Sequence, residues 1–207
     1  MSGIFGIISD KKINKSHFQT LAIHSCQRGN DSSGLFYLDK NKYITVRADY
    51  TPMKLLKKEK WHETKIITGY SGSIANGVFN NQPVVHNGVL AIYDGIIVNE
   101  QDIWKTLGRE FHIDSEAIVA IALKHLEDEE LSTLPKKYLS MCQGTVSTVL
   151  AIPRLGKLLL FSNNGSLYIG KHKDDIYFAS ESYPLEKIKC KEIKQIRKEG
   201  LLIDIPK

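Results

Sequence analysis

Cysteine is scarce and scattered: Cys26, Cys142 and Cys190 are the three in 207 residues. An odd count with no CxxC and no Cys/His cluster argues against a disulfide framework and against a zinc site. All three are expected to be reduced, with Cys142 in the core. Long apolar runs are missing too. None approaches the roughly 20 residues that a membrane-spanning helix needs. The run Gly3 to Ile8 follows Met1-Ser2 directly, without the basic segment that opens a signal peptide. No membrane association is expected, and the expected location is the cytoplasm. Charge of one sign is also in short supply, the net value being +5. The lysines of 54–60 and 187–198 are not interleaved with aromatics, and acids run through the second group. Both read as solvated faces rather than a nucleic-acid surface. No metal and no cofactor is expected.

What is present is an ordinary globular composition, 42% hydrophobic and 25% charged. Ile4 to Ile8 reads as a buried strand. Phe18, Leu21, Ala22 and Cys26 share one helical face, and Gly29 ends that helix. Gly34 to Leu38 and Tyr43 to Val46 read as strands joined by the turn Asp39-Lys40-Asn41. Lys65 to Tyr70 is another strand. His86-Asn87-Gly88 lies between Val84-Val85 and Val89 to Tyr93, and Asn-Gly is a strong hairpin signal. Helices are predicted over Glu100 to Leu107, Ser115 to Leu126 and Pro135 to Cys142, with Asp114 or Ser115 as the N-cap of the second. Strands return at Thr145 to Ile152, Lys157 to Phe161, Leu167 to Ile169 and Ile176 to Ala179. A closing hairpin through Glu199-Gly200 leads into Leu201 to Ile205. The pattern is one α+β domain over residues 1–207, with strands at both ends of the chain and helices between.

Several short blocks carry a resemblance. Met1-Ser2-Gly3-Ile4-Phe5-Gly6-Ile7 resembles an M-C-G-I-F-G-I opening. Gln27 to Gly34 resembles H-R-G-x-D-S-S-G, and Gly69 to Gly77 resembles G-H-x-R-x-x-x-x-G. Gln82-Pro83 follows. Asp94 to Asn99 resembles N-G-x-I-x-N, and Asp114-Ser115-Glu116 resembles D-x-E at the head of a helix. Gly165 to Gly170 and Phe178 to Ser182 resemble the late G-x-x-P-L-x-x-G and V-A-S-E-S blocks. Eight blocks in order identify the chain as similar to class II glutamine amidotransferase domains, the N-terminal-nucleophile type. The resemblance implies a four-layer αββα sandwich.

It also implies a site. In the family the residue after Met1 is the nucleophile, and its own α-amine is the base. An Asn side chain and the next backbone N–H stabilise the oxyanion; an Arg binds the glutamine carboxylate and an Asp its ammonium. Here the nucleophile position is Ser2, whose hydroxyl is harder to activate than a thiol. The carboxylate-binding position is Gly72, flanked by neutral Ser71 and Ser73. The oxyanion position is Asp94, followed by Gly95, whose N–H remains available. Asp114 and Arg28 are retained. Each has a plainer reading: Ser2 as a small residue starting a strand, Asp114 as an N-cap, Arg28-Gly29 as a helix terminator. A lone Cys→Ser replacement would account for Ser2 but not for Gly72 or Asp94.

Three readings follow, in this order. The first is an amidotransferase-like pseudoenzyme without glutaminase activity, a binding or regulatory subunit for a separate synthase or transferase chain. The second is an amidohydrolase using Ser2 on a different amide, its pocket opened by Gly72 and Ser73. The third is an ammonia-supplying glutaminase subunit. With Arg lost and acids kept, the expected ligand is a small amine or amide without a carboxylate.

Overall fold

A computed structural model describes residues 2–61, 63–73, 82–108 and 114–206, the side chain of Asp114 excepted. The chain forms β1 (Ser2–Ile8), α1 (Lys15–Ser25), β2 (Ser32–Asp39), β3 (Lys42–Ala48), α2 (Pro52–Lys58) and β4 (Ile66–Gly72). Next come β5 (Val84–His86), β6 (Val89–Ile97), α3 (Glu100–Leu107), α4 (Asp114–His125), α5 (Leu134–Met141), β7 (Gly144–Ile152) and β8 (Lys157–Ser162). It closes with β9 (Tyr168–His172), β10 (Asp175–Ala179), α6 (Tyr183–Lys187), β11 (Lys191–Gln195) and β12 (Leu201–Asp204). Among the described residues these strands form two antiparallel sheets, in the orders β11-β9-β10-β1-β4-β2-β3 and β12-β8-β7-β6-β5.

The sheets stack face to face with helices outside, giving the four-layer αββα sandwich. Ile4, Phe36, Tyr70, Ile92, Val149, Leu160 and Phe178 fill the space between the sheets. Phe5, Ile7, Phe18, Leu21, Trp61 and Leu185 fill the layer of α1, α2 and α6 over the first sheet. Ala91, Tyr93, Ile118, Ala122, Tyr138 and Phe161 fill the layer of α4 and α5 over the second. Strand β1 is central and buried along its whole length, which is why Ile4 to Ile8 reads as an unbroken apolar run: side chains alternate into two different cores. Burial pushes the Cys142 thiol up to about 12.

Two local expectations differ from the structure. The last strands do not form a hairpin: β11 pairs with β9 in the first sheet and β12 pairs with β8 in the second. The turn at Gly200 (φ +69°) carries the chain from one sheet to the other, a choice that local turn chemistry does not encode. The lysines of 54–60 are exposed, as expected, and Lys54, Lys57 and Lys58 lie on α2, which Thr51 caps and which buries Pro52 and Leu55. Cys26 is the C-cap of α1 rather than part of its buried face, and Ser25 is buried instead. The Asn87-Gly88 turn does join β5 to β6, both residues having positive φ (+44° and +74°), as a type I′ hairpin demands.

Gln82 fixes the position of β6. Its side chain mimics a strand partner, donating from Nε2 to the Tyr93 carbonyl at 2.8 Å and accepting the Tyr93 N–H at 2.5 Å. Gln82 is 1% exposed. Gln82→Met keeps the volume and removes both bonds, leaving a buried N–H and a buried carbonyl unpaired. It should lower unfolding stability by about 2–4 kcal/mol in urea titration.

Candidate active site and its relatives

Ser2 opens the central strand, in register with Gly72 of β4, and Gly72 is in register with Ser32 of β2. Asp94 reaches it from the opposite sheet. The Ser2 nitrogen donates to Asp94 Oδ1 at 2.6 Å. Arg28, three residues beyond the end of α1, supplies the other contacts. Its Nε donates to the Ser2 carbonyl at 2.7 Å, its Nη2 to Asp94 Oδ2 at 2.8 Å and its Nη1 to Glu181 Oε1 at 2.5 Å. Arg28-Gly29 does not end the helix, which Cys26 caps; Arg28 instead ties β1, β6 and the segment after β10 together. Burial opposes its charge, yet Asp94 and Glu181 outweigh that and hold its pKa above the ordinary arginine value.

The loops are held close by small residues. The Ser25 and Ser71 hydroxyls meet at 2.5 Å, and Ser71 Oγ also donates to the Ser25 carbonyl at 2.7 Å, joining α1 to β4. A Cβ on Gly3 would collide with both hydroxyls. Ser180 extends the β1–β10 pairing: its N–H donates to the Ile4 carbonyl and its Oγ accepts the Ile4 N–H at 2.9 Å. That carries Glu181 to Arg28. Behind Asp94, its register partner Ser147 hydrogen-bonds Ser162 (2.8 Å) and Asn164 (3.0 Å).

The structure thus brings Ser2, Arg28 and Asp94 into one hydrogen-bonded cluster, with Gly72 opposite Ser2 and Gly95 next to Asp94. A Cβ on Gly95 would strike the Thr145 carbonyl oxygen, so glycine is required there by the close approach of β7. Ser73 is exposed, and its backbone nitrogen packs against Gly29. Asp114 begins α4; its side chain lies outside the described residues, as do Ile74 to Gly77 of the third block. Gly72 does not open the pocket. The Tyr70 hydroxyl stands where a Cβ on residue 72 would be, and Ser2 Oγ donates to it at 3.3 Å. Sequence reasoning missed Tyr70 and Glu181. The signals were there: Tyr70 lies two residues from Gly72 on one strand face, and Glu181 sits inside the last resemblance block. Among the described residues no group of three His, Cys, Asp or Glu side chains could hold a metal ion, and no helix is long and apolar enough to cross a membrane.

Arg28 and Asp94 have side chains only 15% and 8% exposed. Removing one partner strands the other in a poorly hydrated site. Arg28→Met should cost about 3–5 kcal/mol of unfolding stability. The loss should be smaller when Asp94→Asn is made in the same chain, because the Asp94 carboxylate is then not left without its guanidinium partner; thermal and urea melts of the four proteins check the coupling.

Comparison with known proteins agrees with the fold. The family model described as "Glutamine amidotransferase domain" matches residues 70–187, more than half of the chain. A glutamine–fructose-6-phosphate aminotransferase (isomerizing) of Sulfolobus acidocaldarius is 28% identical over 200 residues, which is 87% of this chain and 33% of that protein. The enzyme of the same name from Wigglesworthia glossinidia brevipalpis is 27% identical over 187 residues, 83% of this chain and 29% of that protein. The chain therefore spans about a third of the length of these relatives. Among solved structures, the glutamine phosphoribosylpyrophosphate amidotransferase of B. subtilis superposes with a TM-score of 0.76 at 20% identity, covering 98% of this chain and 47% of that one. A class-II glutamine aminotransferase domain protein of Silicibacter pomeroyi superposes with a TM-score of 0.57 at 12% identity, covering 99% and 100%. With the family model, these relatives and the sandwich in agreement, the chain belongs to the class II glutamine amidotransferase domain family.

Proposed function

We propose that this domain has no glutaminase activity and serves as a binding or regulatory subunit for a separate synthase or transferase chain, with a small amine or amide as its ligand. One observation carries the reading: both oxygens of Asp94 accept hydrogen bonds, one from the Ser2 nitrogen and one from Arg28. Hydrolysis of an amide needs donors aimed at the developing oxyanion. A carboxylate that is already accepting offers none, and its charge opposes the oxyanion. The base is compromised by the same contact. Removal of Met1 leaves the Ser2 nitrogen as an amine 2.6 Å from Asp94. An opposite charge that close favours the ammonium form, which has no lone pair to take the Ser2 hydroxyl proton.

The partner part of the proposal rests on the relatives. Their name describes glutamine-dependent amino transfer to fructose 6-phosphate, in chains about three times as long as the matched segment. Asp114, at the head of α4, is assigned the ligand amine by the resemblance alone.

Purified protein should release no ammonia from L-glutamine above the uncatalysed background, and Ser2→Cys should not change that. Turnover by the unaltered chain at about 1 per second or faster, the ordinary range for enzymes, would overturn the reading. So would restoration by Ser2→Cys alone, since it would show that Asp94 leaves the oxyanion site intact.

A further inference from the structure

Tyr70 and Gly72 lie two residues apart on β4, so both face the space between the sheets. Tyr70 is 1% exposed and packs in the central core. The nearest atoms to a Cβ built on Gly72 are three of the same ring: Oη, Cζ and Cε1 of Tyr70. Gly29 presses on Gly72 from another side; a Cβ on Gly29 would run into Cα and C of Gly72. The strand has no freedom to move aside. Gly72 is in register with Ser2 and Ser32, and its carbonyl accepts the Asp31 N–H at 2.9 Å. Position 72 therefore has room for a hydrogen and nothing larger while Tyr70 keeps its place.

We propose that Tyr70 is the specificity-determining residue of this site: its phenol wall fills the volume of the residue-72 side chain, excludes a ligand carboxylate, and leaves a site for an uncharged primary amide that carries an amine. The proposal rests on the reading of the domain as a binding module. A carboxylate brought to this wall gives up water and finds the volume beside Gly72 already filled by the Tyr70 ring. Nearby, the Arg28 guanidinium is already committed to two carboxylates, those of Asp94 and Glu181. Burying an unpaired anion there is strongly unfavourable, whereas a neutral amide loses far less on leaving water. The Asp94 and Glu181 carboxylates attract an ammonium.

The pairing of Tyr70 with Gly72 is tested by a double-mutant cycle. Gly72→Ala alone should lower the melting temperature by about 5 °C, through overpacking against the ring. In a Tyr70→His background, where the smaller ring withdraws from position 72, the same alanine should cost much less. Additive losses would overturn the coupling, even if the protein hydrolyses no glutamine. The ligand class is read on the unaltered protein, so it does not depend on any variant folding. Calorimetric titration with 4-aminobutanamide, which is glutamine without its α-carboxylate, should give a Kd at least about tenfold lower than L-glutamine. Equal affinities, tighter binding of L-glutamine, or no binding of either compound would overturn the ligand class. Ammonia release from L-glutamine would instead sink the reading of the domain as inactive, so the two failures are told apart.

Discussion

The contact on which the site depends is the one Asp94 makes with both the Ser2 nitrogen and Arg28. It joins the end of a central strand in one sheet to a strand of the other, across the open end of the sandwich. Hydrophobic packing is non-directional; it presses the sheets together but does not choose how the strand ends face each other. The bidentate acceptor does. Arg28 completes the link by also holding the Ser2 carbonyl and Glu181. The first residue of the strand is thereby held through its nitrogen and its carbonyl, while its hydroxyl donates to Tyr70.

That geometry is permitted by the absence of side chains. Gly3, Gly29, Gly72 and Gly95 each lie where an added carbon would strike a neighbour. Their common effect is to let α1, β4 and β7 approach the nucleophile position closely enough for the serine and arginine contacts to form. A glutamine-hydrolysing site asks for the same closeness but the opposite polarity. It presents donors to an oxyanion and a cation to a carboxylate. Here the position facing Ser2 accepts, the cation is already committed to two acids, and a phenol stands at residue 72. The fold is that of the family, and at its centre Asp94 accepts from the Ser2 nitrogen and from Arg28.

The blocks around Ser2, Arg28, Gly72 and Asp94 were legible as a set because each is short, local and ordered along the chain. Strand β1 was legible because a strand buried on both faces is apolar without alternation. The crossing of the last strand from one sheet to the other was not, since Glu199-Gly200 makes an equally good turn whichever strand receives the chain. Helix α2 was hidden among lysines whose stems pack while their ammonium groups stay wet, Lys54 and Lys58 both lying over the Tyr50 ring.

The sequence by itself determined the family and the sandwich, and the resemblance read the nucleophile, anchor and oxyanion positions as changed. Those are statements about residue identity at a given place in an ordered pattern. Only the tertiary structure decided what the changes mean. Asp94 could have stood as a bare acid beside an oxyanion; the fold sets it against Arg28 and the Ser2 nitrogen. Gly72 could have left a hole; the fold fills it with a ring from two residues away. Spacing along a chain says which side chains share a face, but not which atoms come within hydrogen-bonding distance across two sheets. That is set by the packing of the whole core.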